Sequence, residues 1–530
     1  MGHWAIIVVI VAALASALAI LKIVFAVRSA AIPFQTESHA FVDTADTPLG
    51  AEAEVLANEK GALSGFSLMN EGGDAFAARL SLTELAVRSL DLQYYLWRND
   101  LCGVLLLDAL RKAAERGVRI RLLLDGNGAL SLYSELAALS AASNVQVRIF
   151  NPFLSKRWHF LEYLTSFGRL NRRMHNKCFI ADNAFAIIGG RNIGDEYFAV
   201  DEQSHFADLD ALAVGPIVGQ LSTDFDRFWS SSLAYPLEAL CDRAATSPVS
   251  ALADRLSQVM NLPLAQTYVQ TIRSAPSLQI GLSNSLDWAP ARLVSDDPAK
   301  ALGRAKPSQL LGNRLNRILE TPIREISLIS AYFVPTAAGV DVFTAMREKG
   351  VEIRVITNSF AATDVWVVHA GYASYRKALL RKGIKLFELR GRRRSSGEKR
   401  NLLSSGASRR SGKAGKILRS TATTLHAKTF TIDRCRLFVG SFNFDPRSMH
   451  LNTELGCVIE SPTLANRVEH ALAKELLSSS YELKLSDRGK LVWMEHRAGM
   501  VIEHRAEPGT TAWQRIGIRA LSNMPIEWLL

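Results

Sequence analysis

Apolar runs of strand length alternate with amphipathic stretches of helix length along most of the 530-residue chain. In the stretch GVLLLDALRKAAERG at 103–117, apolar residues recur every three or four positions, as on one face of a helix. The next run, RIRLLLD at 119–125, has the length and composition of a buried strand. Such alternation is typical of α/β proteins in which helices cover a sheet. We therefore predict an α/β fold with mixed β-sheets flanked by helices.

One segment of this pattern occurs twice in the chain. MHNKCFIADNAFAIIGGRN at 174–192 is matched by LHAKTFTIDRCRLFVGSFN at 425–443, so each motif residue returns 251 positions later. Two copies are too few for a solenoid, but two lobes with pseudo-twofold symmetry would bring the same face together. We predict two such lobes, with the repeated motifs meeting at their shared face. Matching segments upstream are 89–97 with 325–335 and 117–126 with 350–359.

The repeat also divides the chain into predicted regions. Residues 246–306 carry Pro, Ser and Asp and have no counterpart in the repeat, so they are interpreted as a connection. A polar tract separates the apolar amino terminus from the folded body. The predicted order is a membrane anchor (1–28), a polar linker (29–55), the first lobe (56–245), the connection (246–306), the second lobe (307–480) with a basic insert (390–420), and a carboxy-terminal extension (481–530).

The amino terminus carries an uncharged apolar run, WAIIVVIVAALASALAIL at 4–21. A helix of about 20 apolar residues spans the ~30 Å hydrocarbon core of a bilayer, so the run predicts a transmembrane helix. A cleavable signal peptide is the alternative, but only His3 precedes the run where a basic start is expected. Lys22 and Arg28 follow the run and favour a cytoplasmic body. We therefore predict an uncleaved, single-pass anchor.

The formal net charge of +11 comes mostly from one segment. Residues 390–420 contain 11 Lys and Arg residues and one Glu, whereas the rest of the chain is close to neutral. This distribution disfavours a general nucleic-acid-binding surface and leaves two interpretations. The basic insert docks on anionic lipid head groups, or it is a solvated insert without a required role. Five scattered cysteines without metal-binding spacing predict neither a disulfide framework nor a structural metal site.

Each repeated motif places a His and a Lys two residues apart, which puts both side chains on the same face of a strand. A Gly-Gly or Gly-Ser pair then lets the backbone approach closely, so that the Asn after it can turn toward the same pocket. Two Lys, two Asn and two His side chains would form a cage for an anion with several acceptor oxygens, and phosphate is the natural occupant. These residues are His175, Lys177 and Asn192 in the first motif, and His426, Lys428 and Asn443 in the second.

The His pair predicts acid–base and nucleophilic chemistry on phosphorus. An ordinary His titrates near pH ~6.5, so we expect one imidazole to be neutral and able to attack while the other is protonated and able to donate. Asp208 and Glu454 follow the two motifs at matching places and are expected to accept a hydrogen bond from the other ring nitrogen. No carboxylate cluster near the motifs suits Mg²⁺, so metal-free chemistry is expected. Asp182 and Asp433 are assigned a structural role in the turns that follow each Lys.

The motifs resemble the two HKD motifs of the phospholipase D superfamily. LDLQYYLW, LNRRMHNK, GGRNIGDEYF and GSFNFDPRSMHLNTELG are further similar to bacterial cardiolipin synthases of the C type, and the resemblance covers roughly residues 56–480. It implies a two-lobed fold and a phosphohistidine intermediate without a metal or other cofactor, with His175 as nucleophile and His426 as general acid. Ser441 stands where the first motif has Gly190, so only the second half offers a hydroxyl for substrate binding. The phosphoryl-binding residues that the resemblance implies are Lys177, Lys428, Asn192 and Asn443.

The resemblance implies transfer of a phosphatidyl group from a glycerophospholipid to the free glycerol hydroxyl of phosphatidylglycerol, which forms cardiolipin. The expected partners are phosphatidylglycerol, with phosphatidylethanolamine as a further candidate, and the bacterial inner membrane. No nucleic acid is expected, and a partner protein is left open. A phospholipase D-type hydrolase, phosphodiesterase or nuclease could use the same residues, because the superfamily also contains these enzymes. A non-enzymatic membrane scaffold is a further alternative, which the intact motif residues in both halves disfavour.

Overall fold

The computed structural model describes residues 37–155, 159–200, 206–241, 250–273, 286–319, 322–391, 424–497 and 499–522, together with residues 7, 8, 11 and 16. The predicted transmembrane run therefore lies almost entirely outside the described residues, as does the basic insert apart from Arg390 and Gly391. No helix within the described ranges is long and apolar enough to cross a bilayer.

The strands are numbered in chain order, and nine of those in the described residues form the first sheet. These are β1 (Ser64–Met69), β2 (Ser89–Leu96), β3 (Arg119–Gly128), β4 (Val145–Phe150), β5 (Cys178–Ala181), β6 (Phe185–Gly189), β8 (Asp210–Val214), β9 (Ala234–Pro236) and β10 (Asp287–Ala289). Their order across the sheet is β10-β1-β8-β6-β5-β2-β3-β4-β9. β2, β3 and β4 pair in parallel, whereas β5 is antiparallel to both β2 and β6, so the sheet is mixed.

The second sheet has ten strands within the described residues. These are β11 (Ala291–Ser295), β12 (Glu325–Ser330), β13 (Glu352–Asn358), β14 (Lys385–Leu389), β16 (Lys428–Ile432), β17 (Arg436–Gly440), β18 (Leu455–Ile459), β19 (Ser480–Leu485), β20 (Leu491–Arg497) and β21 (Met500–His504). Their order is β11-β18-β17-β16-β12-β13-β14-β19-β20-β21. Two short strands, β7 (Phe206–Ala207) and β15 (Thr424–Leu425), pair in parallel between the lobes.

Helices cover the sheets, and several begin where the sequence supplies a cap. The Asp100 carboxylate accepts the N–H of Gly103 at the start of the helix Leu101–Glu115, and Ser461 Oγ accepts the N–H of Leu464 at the start of the helix Pro462–Ser479. The helices are α1 (Pro48–Ala57), α2 (Gly72–Leu85), α3 (Leu101–Glu115), α4 (Tyr133–Leu139), α5 (His159–Thr165), α6 (Phe167–Leu170), α7 (Pro216–Trp229), α8 (Ser250–Met260), α9 (Pro263–Arg273), α10 (Leu311–Leu319), α11 (Thr336–Glu348), α12 (Trp366–Arg381), α13 (Pro446–His450), α14 (Pro462–Ser479) and α15 (Ala512–Ser522).

The same strand order occurs in both sheets. The series β8-β6-β5-β2-β3-β4 in the first sheet corresponds to β18-β17-β16-β12-β13-β14 in the second. In both series the three strands at one end are parallel, and the strand that follows each motif His runs antiparallel to them. The predicted mixed α/β architecture with two sheet-containing lobes is therefore confirmed.

Segments outside the repeat extend both sheets at their edges. β10 and β11 come from the predicted connection, and each adds an edge strand to one of the two sheets. β19, β20 and β21 continue the second sheet past residue 480, where the sequence interpretation ended the second lobe. An unpaired edge strand leaves main-chain groups without partners, and these strands supply them. The predicted region boundaries stay predictions.

An apolar cluster shared by both lobes packs the two sheets against each other. The first lobe contributes the buried side chains of Met174, Cys178 and Ile188, and the second contributes Val439 and Cys457. The two cysteines in this cluster are free thiols. Because these residues belong to the strands that carry and follow the motifs, their packing brings the motif ends of both sheets to the interface between the lobes.

Candidate active site

The two motif His residues lie where the lobes meet, each just before a strand of its own sheet. His175 precedes β5, and its N–H donates to the carbonyl of Thr453 at 2.9 Å. His426 precedes β16, and its N–H donates to the carbonyl of Ala207 at 2.8 Å. Each His backbone is therefore held by a segment of the opposite lobe.

Each imidazole contacts a carboxylate from the opposite lobe. His175 Nδ1 lies 2.9 Å from Glu454 Oε2, and His426 Nδ1 lies 2.6 Å from Asp208 Oδ2. All four side chains are buried. A carboxylate at Nδ1 favours the tautomer with the proton on Nδ1, which leaves Nε2 for chemistry. The sequence interpretation left open which carboxylate contacts which ring. In the structure, each ring contacts the carboxylate of the opposite lobe.

The two carboxylates have different surroundings. Glu454 accepts hydrogen bonds from Ser441 Oγ and, at 2.9 Å, from Ser448 Oγ. In the first lobe a Cβ on Gly190 would lie 2.3 Å from Asp208 Oδ1, so this position has no room for a serine hydroxyl. Ser441, which the sequence interpretation assigned to substrate binding, therefore donates to the carboxylate that contacts the first imidazole.

Three further polar residues position the backbone of the site. Asp296, from the predicted connection, accepts the N–H of Glu454 at 2.9 Å. Asp125 accepts the N–H of the residue before the first motif His at 2.8 Å, and Asn358 does the same before the second at 2.9 Å. The sequence reasoning missed these roles. The alignment of 117–126 with 350–359 already pairs Asp125 with Asn358 and could have identified them.

The motif Lys side chains turn back toward their own His residues. Lys177 Nζ donates to the carbonyl of its motif His at 2.6 Å, and Lys428 Nζ donates to the corresponding carbonyl in the second motif. Burial lowers the pKa of both ammonium groups, and the carboxylates of Glu454 and Asp208 oppose this effect. The two cations thus lie beside the two imidazoles, where they can attract an anion.

The two motif Asn residues differ in their hydrogen bonds. Asn192 Oδ1 accepts the N–H of Leu96 at 3.2 Å, and its Nδ2 donates to Tyr197 Oη at 3.0 Å. Asn443 is as deeply buried, but none of the described residues donates to its Oδ1. A buried acceptor without a partner is unusual in a folded protein. Asn443 Oδ1 is therefore a candidate acceptor for a ligand.

Asp182 and Asp433 lie in the turns that follow β5 and β16, with φ of +49° and +53°. Their carboxylates also reach the neighbouring central strands. Asp182 accepts the N–H of Arg88 at 2.8 Å, and Asp433 accepts the N–H of Arg324 at 2.7 Å. Each Asp therefore ties the turn after a motif strand to the start of the strand beside it.

Burial lowers the pKa of both imidazoles, to about 4 for His175 and about 3 for His426. The contacting carboxylates act to raise these pKa values, and the neighbouring Lys cations act to lower them. Both pKa values thus lie below neutral pH, whereas the sequence interpretation expected one protonated ring, and the protonation states of the two rings in the reaction stay a prediction. A bound anion would raise both pKa values, because negative charge favours the protonated form.

The charged groups of the site suit an anion better than a metal ion. Burial acts to raise the pKa of Asp208, but Lys428 and His426 outweigh it and hold the pKa below its ordinary value. The carboxylates are thus ionised and already engaged with imidazoles. Within the described ranges, no group of three or more His, Cys, Asp or Glu side chains has an arrangement that could hold a metal ion.

Aromatic rings surround the imidazoles, and sequence reasoning assigned them no role. Tyr95 lies edge-on to His175, with ring centroids 5.1 Å apart. Tyr197 and Phe206 lie 5.0 and 5.1 Å from the ring of His426. All three rings come from the first lobe, so the two imidazoles have different neighbours. Tyr95 and Tyr197 belong to LDLQYYLW and GGRNIGDEYF, the phrases that could have identified them.

Comparison with known proteins gives a family match and close relatives. The family described as "Cardiolipin synthase, PLD-like domain" matches residues 81–229 and 315–476. The chain is similar to cardiolipin synthase C of Escherichia coli (strain K12), with 44% identity over 462 residues, which are 86% of this chain and 94% of that protein. An uncharacterized protein of Helicobacter pylori (strain ATCC 700392 / 26695) is 29% identical over 484 residues, which are 89% of this chain and 91% of that protein.

A solved structure shares the architecture. The crystal structure of phosphatidylserine synthase from Haemophilus influenzae Rd KW20 aligns with a TM-score of 0.56 over 90% of this chain and 99% of that chain. The sequence identity is 11%, so this likeness concerns the fold alone. It agrees with the two-lobed arrangement of the sheets.

Proposed function

Because the chain belongs to the cardiolipin synthase family of phospholipase D-like proteins, we propose a reaction that joins two phospholipids at the site between its lobes. The protein is a cardiolipin synthase-like phosphatidyltransferase, and its substrates are phospholipids. The proposed reaction moves a phosphatidyl group from a donor glycerophospholipid to phosphatidylglycerol through a phosphohistidine on His175.

In the first proposed step, Nε2 of His175 attacks the phosphorus of the donor lipid. The P–N bond forms as the P–O bond to the donor head alcohol breaks, and His426 gives its proton to the departing oxygen. Glu454 accepts a hydrogen bond from the Nδ1–H of His175 and stabilises the positive charge that develops on this ring. Lys177 and Lys428 attract the non-bridging phosphoryl oxygens, on which negative charge increases.

The substrate itself favours the protonated form of His426 that this step needs. The pKa of His426 is about 3, so its ring is neutral at pH 7 without an anion. At an effective dielectric constant near 20, a negative charge about 4 Å away attracts the imidazolium by about 4 kcal/mol, enough to raise a pKa by about 3. We therefore propose that the phosphodiester and the proton bind together.

In the second proposed step, a free glycerol hydroxyl of phosphatidylglycerol attacks the phosphorus. The hydroxyl proton passes to Nε2 of His426, a P–O bond forms, and the P–N bond to His175 breaks, which releases cardiolipin. Water in place of the glycerol hydroxyl would give phosphatidic acid, the product of the hydrolase alternative. Tyr197 and Phe206 cover the His426 ring and reduce the room for water on this side.

The observation that carries the proposal is the reciprocal pairing of His and carboxylate between the lobes. His175 contacts Glu454 of the second lobe, and His426 contacts Asp208 of the first. A single lobe thus contains one member of each pair and neither complete pair. This supports one shared site that uses both motifs in one reaction.

Product analysis with the full-length protein in phosphatidylglycerol vesicles tests the proposal. We expect cardiolipin and free glycerol in equal amounts, with little phosphatidic acid. His175→Ala and His426→Ala should each lower cardiolipin formation by about 10³-fold or more, because each removes a group that reacts. His470→Ala, on the exposed face of α14, is the matched control and should retain the wild-type rate. Phosphatidic acid as the main product, or substantial cardiolipin from either active-site variant, would contradict the mechanism. Addition of phosphatidylethanolamine identifies the donor through the release of ethanolamine.

We further propose that residues 4–21 anchor the enzyme in the bacterial inner membrane. Phe160 and Leu164 on α5 are 72% and 55% exposed, and such apolar side chains suit a lipid interface. The full-length chain should stay with the membrane in alkaline carbonate, whereas a variant that lacks residues 1–36 should be extracted. Carbonate extraction of the full-length chain would contradict the anchor.

Head-group binding by the basic insert at 390–420 stays a prediction. Unchanged vesicle binding after deletion of the insert would refute it.

A further inference from the structure

The second lobe has a tyrosine, Tyr332, close to its motif His, His426. β12 and β16 pair in antiparallel register as far as Ser330 and Lys428. The N–H of Ala331 then donates to the carbonyl of the residue before Lys428 at 3.2 Å. Beyond this pairing, the Tyr332 phenol is close enough to Tyr95 and Tyr197, the tyrosines that contact the two motif imidazoles, to interact with them electrostatically. Tyr332 as a whole residue is half-buried.

Asp364 lies against this tyrosine. Tyr332 Oη donates to Asp364 Oδ2 at 2.8 Å, and Asp364 is also half-buried. The loop that carries Asp364 is fixed to the second motif, because Thr424 Oγ1 donates to the carbonyl of Ala362 at 3.0 Å. The negative charge of Asp364 acts to raise the pKa of Lys428 against the larger effect of burial. The loop, the tyrosine and the motif thus adjoin at one end of the sheet.

Asn443 flanks the same end of the sheet. The residue after it, Phe444, donates its N–H to Ser330 Oγ at 3.2 Å and forms a parallel bridge with Phe333. Asn443 therefore lies beside the end of β12 that leads into Tyr332. Its Oδ1 is the buried acceptor that no described residue satisfies. This position thus holds a hydrogen-bond acceptor that a ligand hydroxyl could satisfy.

The first lobe does not repeat this polar arrangement. Gln93 of β2 pairs with Cys178 of β5 in the first sheet, and Ile329 of β12 pairs with Thr429 of β16 at the matching place in the second. Three residues further along each strand, Leu96 in the first lobe therefore corresponds to Tyr332 in the second. Leu96 is apolar and only 4% exposed, and the neighbouring Tyr95, which lies against His175, has the amide of Asn127 at its phenol where Tyr332 has a carboxylate. The tyrosine–aspartate pair thus belongs to one side of the pseudo-symmetric site. This side of the site contains His426, the ring that takes the proton of the incoming alcohol in the proposed mechanism.

We propose that Tyr332 and Asp364 bind the free hydroxyls of the acceptor lipid's glycerol head group, with Asn443 as a further acceptor. This inference rests on the proposed function, because that function supplies a vicinal diol as the second substrate. One hydroxyl attacks phosphorus and releases its proton to His426, while the neighbouring hydroxyl donates to Asp364. Burial and Asp364 raise the pKa of Tyr332 well above its ordinary value, so the phenol remains a donor. A site built for two linked hydroxyls binds a diol better than a single water, which favours transfer over hydrolysis.

The test uses full-length Tyr332→Phe and Asp364→Asn variants in phosphatidylglycerol vesicles. Asp341→Asn, on the exposed face of α11, is the matched control for the loss of a carboxylate. Cardiolipin and phosphatidic acid are measured together, and the release of free glycerol reports the first step. We expect the ratio of cardiolipin to phosphatidic acid to fall about ten- to hundredfold in both variants, as for lost hydrogen bonds to a substrate hydroxyl. Glycerol release is expected to fall together with cardiolipin formation, because the glycerol that leaves a phosphatidylglycerol donor departs on the same His426 side of the site.

An unchanged product ratio in both variants overturns the inference. A fall in cardiolipin and phosphatidic acid together, with their ratio unchanged, also overturns it, because the pair would then not select between a diol and water. Tyr332→Phe keeps the ring and remains informative if Asp364→Asn does not fold, as thermal melting would reveal. Failure of the proposed function itself is distinguishable, since the wild-type protein would then form no cardiolipin in the same vesicles.

Discussion

Replacing Glu454 by Gln tests whether a carboxylate of one lobe controls the His of the other. Glu454 is fully buried, and its carboxylate lies 2.9 Å from His175 Nδ1. Glutamine keeps the size of the side chain but loses its charge, and its amide can present a donor where the ring needs an acceptor. The ring then turns to the tautomer with its proton on Nε2, and this nitrogen can no longer attack phosphorus.

The size of the effect follows from this contact. A hydrogen bond to a charged group contributes about 1.5–3 kcal/mol, which corresponds to about 10- to 150-fold in rate if it is lost from the transition state. The unfavourable tautomer adds to this loss, and the equivalent change in a Ser-His-Asp triad lowers kcat by about 10⁴-fold. We therefore expect cardiolipin formation by Glu454→Gln to fall by at least about 10²-fold.

The assay follows initial rates of cardiolipin formation and glycerol release in phosphatidylglycerol vesicles. Both rates should fall together, because the proposed mechanism uses His175 in the first step. Glu460→Gln is the matched control, since Glu460 is 43% exposed and pairs with Arg292 at the surface. A Glu454→Gln rate within threefold of wild type, with both variants folded, would refute the assignment of Glu454 to the opposite lobe's His.

Two carboxyl groups away from the site, the half-buried Asp100 and the buried Glu507, give predictions about stability. Burial and the neighbouring Asp195 carboxylate raise the pKa of Asp100 from 3.8 to about 8, so the free energy of unfolding should fall as pH rises between these values. Asp100→Asn should remove most of that decline in urea unfolding, and an unchanged pH slope would contradict the reasoning. Glu507 lies 2.7 Å from both His369 and Arg376, and Glu507→Gln should lower the free energy of unfolding by about 3 kcal/mol at neutral pH. Despite burial, these partners hold the pKa of Glu507 below its ordinary 4.5, so the difference should disappear as pH falls below that value; equal stabilities at pH 7 would contradict this prediction.

The fold and the motif residues could be predicted because their signals are local and occur twice. His175 and Lys177 are two residues apart on one strand, and the same spacing returns at His426 and Lys428. The flanking apolar runs repeat in the same order, which is enough to predict two α/β lobes without knowing how they pack. Repetition separated these residues from the many His and Lys residues that carry no signal.

The pairing of imidazole with carboxylate could not be predicted, because it depends on how the two sheets pack. Asp208 follows His175 by 33 residues and Glu454 follows His426 by 28, so separation in sequence favours pairs within one lobe. The shared apolar cluster brings each carboxylate to the other lobe's ring instead. The strands after residue 480 were also missed, because β21 is mostly exposed and shows no alternation of buried and exposed positions.

Side-chain differences at matched positions explain how two similar motifs can take different roles in one reaction. The carboxylate at His175 receives two serine hydroxyls, which lower the free energy of its charge. In the proposed mechanism this carboxylate stabilises the positive ring that forms when His175 attacks phosphorus. The carboxylate at His426 has no equivalent space for a serine, and this ring instead lies beside aromatic rings of the opposite lobe. Since each ring depends on the opposite lobe for its carboxylate, separating the lobes removes both pairs together. A single lobe could restore them only by pairing with a second copy, and two identical copies would lose the side-chain differences that distinguish nucleophile from acid.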